Sequence, residues 1–239
     1  MTEATVANNV AAVQETRTVL AAATRLGVRY RASWPVALVT GVLILGTTGL
    51  DVLRTRDAMA LVTADGVQVA SQAQLQSSLN LAIAYFIGYV ASGIFWSLWM
   101  ALLVTNVPAL TARWPSHGPL GAFFALWIPF IGLIRPYSIV KQVTALLGGG
   151  ARAGLLVVAW WVAFLGSFYL PSIVVFLRAL DRDDTTVGGA LTTGSVTRIG
   201  VVIIAAILAA LVLLTVEYYQ RLALERRSDI VLAAEPTQV

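Results

Sequence analysis

Four long stretches of the chain are apolar, with no charge in their middle, and segments rich in polar residues, glycine and proline separate them. A helix rises about 1.5 Å per residue, so each stretch can cross a hydrocarbon core about 30 Å thick. We therefore predict an all-α integral membrane protein with a polytopic domain at residues 34–222, an N-terminal amphipathic segment (1–33) and a C-terminal tail (223–239). The predicted transmembrane helices cover residues 34–53, 79–105, 155–177 and 199–219.

A fifth apolar stretch, residues 120–134, is shorter and contains Pro129. Apolar runs of this length are more often re-entrant or interfacial than spanning, and proline removes a backbone donor from any helix. We therefore predict a re-entrant or interfacial segment that is broken by proline. Apolar positions then recur at helical spacing over residues 136–147, with Pro136 at the start and three glycines after the end, which predicts an amphipathic helix.

The distribution of basic residues favours an even number of crossings. Cytoplasmic loops of membrane proteins carry an excess of Lys and Arg. If residues 120–134 return to the side from which they came, the side with both termini holds 11 basic residues and the other side holds 5. If they cross, each side holds 8. We therefore predict four transmembrane helices in a bacterial inner membrane, with both termini cytoplasmic.

Two flanking segments have predicted structure of their own. Apolar positions recur at helical spacing within residues 1–33. This pattern fits either a solvated helix or a helix on the inner membrane surface, with Arg25 and Arg29 facing lipid phosphates. In the loop after the first transmembrane helix, Asp65 and Gly66 lie between short apolar runs and predict a small β-hairpin.

The composition supports a membrane location and excludes several kinds of chemistry. Hydrophobic residues make up 58% of the chain and charged residues 12%, against about 25% charged in soluble domains, and the mean hydropathy is +0.81. Cysteine is absent and His117 is the single histidine, which excludes disulfides, thiolate metal sites and a histidine metal centre. The net charge is +4, but the arginines are scattered near the ends of apolar runs and do not form a nucleic-acid-binding face.

The order of tryptophans, prolines and polar residues over residues 80–220 resembles that of the domain-of-unknown-function 4328 family of bacterial membrane proteins. The positions that carry the resemblance are Trp96, Trp99, Asn106, Leu110, Pro129, Leu133, Arg135, Pro136, Tyr137, Lys141, Trp160 and Trp161. The resemblance implies about four transmembrane helices and a central structural box, and it implies no known activity. We assign to that box Trp96, Trp127, Pro129, Pro136, Trp160 and Trp161. Gly132 departs from the pattern, because the family often has asparagine there.

Polar residues near the box form our candidate ligand site. Arg135 follows an apolar run, where a charged group needs a phosphate, an acid or water. It is either an interfacial arginine among lipid headgroups or, with Lys141, Tyr137 and Asn106, part of a site for a headgroup or another amphipathic anion. Free amides at the start of the amphipathic helix would assist such a site. Asn106 is either a helix cap or a partner for carbonyls that Pro129 leaves free.

Three further sets of residues are distinguished by their spacing. Small residues four apart on one helical face, which let another helix approach closely, are Ala84, Gly88 and Ser92. Residues spaced for ion pairs along the last helix are Glu217, Arg221 and Glu225. Aspartates that form either a cation site or a solvated acidic loop are Asp181, Asp183 and Asp184.

These observations favour a role without catalysis. Proton relays, ion-coupled transport and intramembrane metalloproteolysis need ionisable groups within the spans, and the predicted spans have none at mid-membrane. We expect no catalytic residue, no metal, no cofactor and no nucleic-acid partner. The preferred hypothesis is an accessory or scaffold subunit that packs against partner helices or a second copy of itself. The alternative is a binder of membrane lipid or another amphipathic anion at the cytoplasmic leaflet, and a third is a channel or carrier.

Overall fold

The computed structural model describes residues 29–63, 66–67, 70–180 and 187–232. The predictions for the amphipathic segment before residue 29, for the aspartates at 181–184 and for the end of the C-terminal tail lie outside these residues.

Six helices and one short hairpin make up the described part of the chain. In chain order the elements are α1 (Trp34–Met59), β1 (Val62–Thr63), β2 (Gly66–Val67), α2 (Gln72–Thr111), α3 (Pro119–Phe124), a 3-10 turn (Ile131–Leu133), α4 (Arg135–Leu146), α5 (Ala151–Leu180) and α6 (Val187–Leu232). Helices α1, α2, α5 and α6 are each long and apolar enough to cross a membrane. The prediction of an all-α fold with four transmembrane helices is therefore confirmed, and the chain is a multi-pass membrane protein.

Helix α2 begins well before the predicted transmembrane span, because the polar residues that precede the apolar run are also helical. The Ser71 amide donates to Gln74 Oε1 at 2.8 Å, and the Gln74 amide donates to Ser71 Oγ at 3.3 Å. This reciprocal capping box satisfies amide groups that the first helical turn leaves without partners. The hydrocarbon thickness sets only the minimum length of a spanning helix, so the apolar run predicts the middle of α2 and not its ends.

The segment between α2 and α4 does not form one continuous helix, as the proline pattern predicted. Helix α3 has only six residues, with Pro119 at its start, and the 3-10 turn follows after Pro129. At Phe130 the backbone has φ 62°, the left-handed region that non-glycine residues rarely adopt, and its side chain is 84% exposed. Neither helical piece is long enough to cross a membrane.

Helix α4 is the predicted amphipathic helix. Ile139, Val140 and Val143 are buried on one side of it, and Lys141 is exposed. After Leu146 the Gly149 amide donates to the Thr144 carbonyl and the Gly148 amide donates to the Ala145 carbonyl. These two bonds form a Schellman cap, for which the residue at position 148 must take a left-handed conformation; its φ is 92°.

The predicted hairpin forms between the first two transmembrane helices. Strands β1 and β2 pair antiparallel, with Val62 opposite Val67 and Thr63 opposite Gly66. Gly66 therefore lies in a strand and not in the turn.

The chain divides into two compact units. The first comprises Met1–Ala37, Ser97–Gly154 and Leu214–Val239, and the second comprises Leu38–Trp96 and Leu155–Leu213. Large buried side chains in the first unit are Trp99, Met100, Leu103, Ile139, Leu147 and Gln220. In the second unit, Trp96 stacks on Trp160 with ring centroids 4.7 Å apart, and the ring row continues through Trp161 to Phe164.

The small-residue face of α2 packs within the second unit. Ser92 Oγ and Thr47 Oγ1 are 3.2 Å apart, which joins α2 to α1. A Cβ atom on Gly88 would lie 2.7 Å from Thr47 Oγ1. The glycine is therefore needed for the close approach of these two helices.

Candidate functional site

A buried carboxylate is at the centre of the first unit. Glu217, on α6, is 8% exposed. Its carboxylate accepts hydrogen bonds from Ser33 Oγ at 2.8 Å, Trp99 Nε1 at 2.9 Å and Gln220 Nε2 at 3.1 Å. A buried charge is costly unless it is hydrogen-bonded or paired, so these three donors explain how Glu217 is tolerated among apolar side chains.

Asn106 extends this polar network to the chain segment before α1. Its Oδ1 accepts from the Arg31 amide at 2.9 Å, and its Nδ2 donates to the Arg31 carbonyl at 2.8 Å. The same Nδ2 donates to Gln220 Oε1 at 3.0 Å, and Gln220 Nε2 donates to Ser33 Oγ at 2.8 Å. The amide of Asn106 thus holds both backbone groups of Arg31, and Ser33 is fixed two residues later. We call Ser33, Trp99, Asn106, Glu217 and Gln220 the clamp.

The clamp corrects two predictions from the sequence. Asn106 does not bond carbonyls near Pro129; its partners are the backbone of Arg31 and the side chain of Gln220. Glu217 does not form the predicted ion pair with Arg221; its carboxylate is bound by the neutral donors of Ser33, Trp99 and Gln220 instead. One signal could have indicated the burial of Glu217. Ala209, Val212, Leu213, Val216 and Gln220 form one buried face of α6, and Glu217 lies on it.

A cavity of about 560 Å³ lies in the first unit beside the segment that the clamp holds. Its described lining residues are Arg29, Tyr30, Arg31, Val104, Thr105, Pro108, Trp114, Pro115, His117, Gly118 and Pro119. Two arginines and the histidine face no acidic residue within this lining, while Val104, Pro108 and Trp114 supply apolar surface. We call it the basic cavity.

Local contacts fix the walls of the basic cavity. Ser116 Oγ donates to Gln142 Oε1 on α4 at 2.8 Å, which holds the loop that carries His117. Burial raises the pKa of the Tyr30 phenol above its ordinary value, and the negative charge of Glu217 adds to the effect. The phenol therefore keeps its proton at neutral pH and presents a hydrogen-bond donor and acceptor at the cavity.

Of the residues predicted to form a headgroup site, the structure brings Tyr137 and Lys141 together. Lys141 Nζ donates to Tyr137 Oη at 2.9 Å and lies over the same ring. Arg135 is exposed and lies six positions before Lys141, so the two cations point about 120° apart around the helix. Arg135, Tyr137 and Lys141 are not among the described lining residues of the basic cavity. Asn106 belongs to the clamp and bonds the backbone of Arg31, which is one of those lining residues.

The residues of the predicted structural box are divided between the two units. In the first unit, Trp127 Nε1 donates to Ser97 Oγ at 3.0 Å, and Pro136 is buried at the start of α4. Pro129 directly precedes the turn at Phe130. The other tryptophans of the box belong to the ring row of the second unit; they are Trp96, Trp160 and Trp161. At Gly132 a Cβ atom would lie 2.7 Å from the Leu126 carbonyl oxygen, so a larger residue would require the backbone to move.

Comparison with known proteins places the chain in a family. No curated protein and no solved structure matches it. The model of the family described as Domain of unknown function (DUF4328) matches residues 59–221, which is more than half of the chain. This range contains the central box and most of the clamp. The chain therefore belongs to the DUF4328 family, and the resemblance seen in the order of its tryptophans and prolines is confirmed.

Proposed function

We propose that this membrane protein is a non-catalytic binder of an amphipathic anion, with a phospholipid headgroup in the basic cavity. The observation that carries the proposal is the lining itself. Arg29, Arg31 and His117 converge on one cavity whose described lining contains no carboxylate. Guanidinium groups bind phosphate through two parallel hydrogen bonds, which makes arginine the preferred partner of such a group.

The apolar part of the lining suits the remainder of a lipid. Val104 and Pro108 lie on α2, which is one of the helices long enough to cross the membrane. Trp114 is 63% exposed and resembles the tryptophans that lie at membrane interfaces. A ligand with a phosphate at one end and a hydrocarbon chain at the other matches both parts of the cavity.

The clamp gives the arginines a fixed position before any ligand arrives. Both backbone groups of Arg31 are held by Asn106, and Ser33 is held by Glu217 and Gln220. A binding segment that is already ordered loses less conformational entropy on binding, so its affinity is higher.

The accessory-subunit hypothesis is less well supported than lipid binding. Its motivation was a small-residue face that could receive a partner helix. That face contacts Thr47 of the same chain at Gly88 and Ser92. A partner protein or a second copy would have to use another surface.

The location of the protein is part of the proposal. The excess of basic residues on the side of both termini supports a cytoplasmic position for them in a bacterial inner membrane. Arg29 and Arg31 belong to that side, so the basic cavity would serve the cytoplasmic leaflet, where anionic lipids attract basic segments.

Lipid retention in native mass spectrometry tests the proposal. The detergent-purified protein is mixed with phosphatidylglycerol or phosphatidylcholine, and retained lipid is counted. We expect phosphatidylglycerol to be retained, and we expect R29Q/R31Q to weaken retention of one bound lipid by at least about ten-fold, since one charged hydrogen bond contributes about 1.5–3 kcal/mol. The matched control is R135Q, an exposed arginine outside the cavity, which should bind as the wild type does.

The outcomes separate the possibilities. Equal losses in R135Q and R29Q/R31Q would mean that general surface charge holds the lipid, and they would refute the cavity. Unchanged retention in R29Q/R31Q would refute it as well. Inorganic phosphate is added in a parallel titration, and competition by phosphate alone would identify the headgroup as the main recognised element. Circular dichroism of each variant without lipid confirms that the helices remain folded.

A further inference from the structure

A second group of charged residues lies in the second unit, and it shares no residue with the basic cavity. Asp51, near the C-terminal end of α1, is 2% exposed. Arg198 on α6 donates from Nε to Asp51 Oδ2 at 3.1 Å and from Nη2 to Oδ1 at 2.9 Å. Arg54 Nη2 donates to the same Oδ1 at 3.1 Å, and its guanidinium lies 4.7 Å from the centre of the Tyr85 ring.

The charges in this group do not balance. One carboxylate faces two guanidinium groups, so the cluster of Arg54, Asp51 and Arg198 carries one net positive charge. A single arginine in bidentate contact is enough to pair a buried aspartate. Arg54 is therefore not needed to neutralise Asp51, and its guanidinium, which lies over the Tyr85 ring, is available to an anion.

Both guanidinium groups remain accessible, whereas the carboxylate does not. The side chains of Arg54 and Arg198 are 36% and 33% exposed, against 3% for Asp51. Each guanidinium has five N–H donors; the contacts to Asp51 use one from Arg54 and two from Arg198, and Arg198 also has a side-chain hydrogen bond to Tyr85. Donors are thus left over on two groups whose orientation Asp51 fixes.

The charge pattern along the helices places this group at headgroup depth. Asp51 directly follows the uncharged residues 34–50, and Arg198 directly precedes the uncharged residues 199–216. As helices these stretches are about 25 Å long, close to the thickness of a hydrocarbon core. Long charged side chains at the ends of such stretches reach the membrane interface, where lipid headgroups lie.

We propose that Arg54 and Arg198 form a phosphate-binding site, with Asp51 as the residue that positions both guanidinium groups. The recognised chemistry is a phosphate monoester or diester. A phospholipid headgroup and a soluble phosphate both present it, and the experiment distinguishes them. This site is independent of the basic cavity and stands whether or not that cavity binds lipid.

The test uses R54Q, because Arg198 still pairs with Asp51 in that variant and the helices keep their buried contact. Arg56 lies two residues away on the same helix, is exposed and is outside the cluster, so R56Q is the matched control. The full-length protein is examined by native mass spectrometry with phosphatidylglycerol or phosphatidylcholine, and by thermal unfolding with inorganic phosphate. Both variants are made in the R29Q/R31Q background, so that lipid in the basic cavity does not contribute. We expect R54Q to weaken the remaining phosphatidylglycerol retention about ten-fold and R56Q to leave it unchanged.

R198K provides a second variant. It keeps the charge but loses the planar fork, so we expect weaker phosphate binding with the helices still folded. Stabilisation by inorganic phosphate that disappears in R54Q would identify a soluble ligand, while an effect of phosphatidylglycerol alone would identify a lipid. The proposal is overturned if neither ligand is retained, or if R54Q and R56Q lose retention equally. R29Q/R31Q should keep this second site, so the two sites fail or succeed separately.

Discussion

Replacing Asn106 by leucine tests whether the clamp holds the arginines of the basic cavity. Leucine keeps the branched shape at Cγ but removes every hydrogen bond of the amide. Two of those bonds hold the backbone of Arg31, and the third satisfies Gln220, which is 1% exposed. Each bond to the backbone contributes about 1 kcal/mol net, and a buried acceptor left without a partner costs about 1–3 kcal/mol. We therefore expect N106L to lower the free energy of unfolding by about 3–5 kcal/mol.

Two measurements follow the effect. Thermal unfolding in mild detergent, monitored by circular dichroism, reports stability, and we expect the Tm to fall by about 6–20 °C for a chain of this size. Limited digestion with trypsin reports the local effect, because trypsin cleaves after Arg29 and Arg31. Once their segment is released from Asn106, cleavage there should become faster than in the wild type.

The control is N80L, which makes the same substitution at an exposed position of the same helix. Asn80 accepts one solvent-exposed hydrogen bond from Gln76, so its loss should change stability by no more than about 0.5 kcal/mol. If N106L is no less stable than N80L and its trypsin cleavage is unchanged, Asn106 does not hold the segment and the reasoning about the clamp is wrong.

Two glycine substitutions test the close contacts of the helices. G88A places a Cβ atom 2.7 Å from a threonine hydroxyl on α1, so we expect a loss of about 1–3 kcal/mol from overpacking, whereas G46A has open space and should be neutral in the same unfolding assay. G148A forces alanine into φ 92° at the end of α4 and should cost about 1–2 kcal/mol, while G150A, with no atom within 4 Å of its Cβ position, should not. Equal stability of either variant and its control would contradict the corresponding contact.

Features that depend on neighbouring residues could be predicted from the sequence. The four spanning helices follow from the length of apolar runs, and the end of α4 follows from Gly148 and the glycines after it. The hairpin follows from a short turn between apolar pairs. In each case the determining residues are within a few positions of one another, so a local pattern contains the information.

The clamp could not be predicted in the same way, because its members come from distant parts of the sequence. Asn106 is 75 positions from Arg31, and Ser33 is 184 positions from Glu217. Each residue lies near the end of an apolar run, where lipid headgroups or water are equally good partners for a polar group. Only the packing of the helices selects the internal partner.

The headgroup site at Arg135 and Lys141 remains a prediction, and it shows how far closeness in sequence can be used. The two residues are close in sequence, and that proximity suggested a shared site. Positions six apart on a helix do not share a face, and the exposed cations of α4 do not line the basic cavity. Arg29 and Arg31, which do line it, precede the first transmembrane helix, and the α2 residues of the same lining are 73 or more positions further along the chain.

The clamp also has a consequence for biosynthesis. A ribosome makes Ser33 and Asn106 early, but Glu217 and Gln220 belong to the last transmembrane helix and emerge much later. During that interval the early polar groups lack their final partners, which is costly in a lipid environment. Asn106 can already bond the backbone of Arg31 at that stage, but Ser33 gains its partners Glu217 and Gln220 only after the final helix has been inserted. An unfinished nascent chain, although it already carries both arginines, would therefore have only part of the clamp beside them.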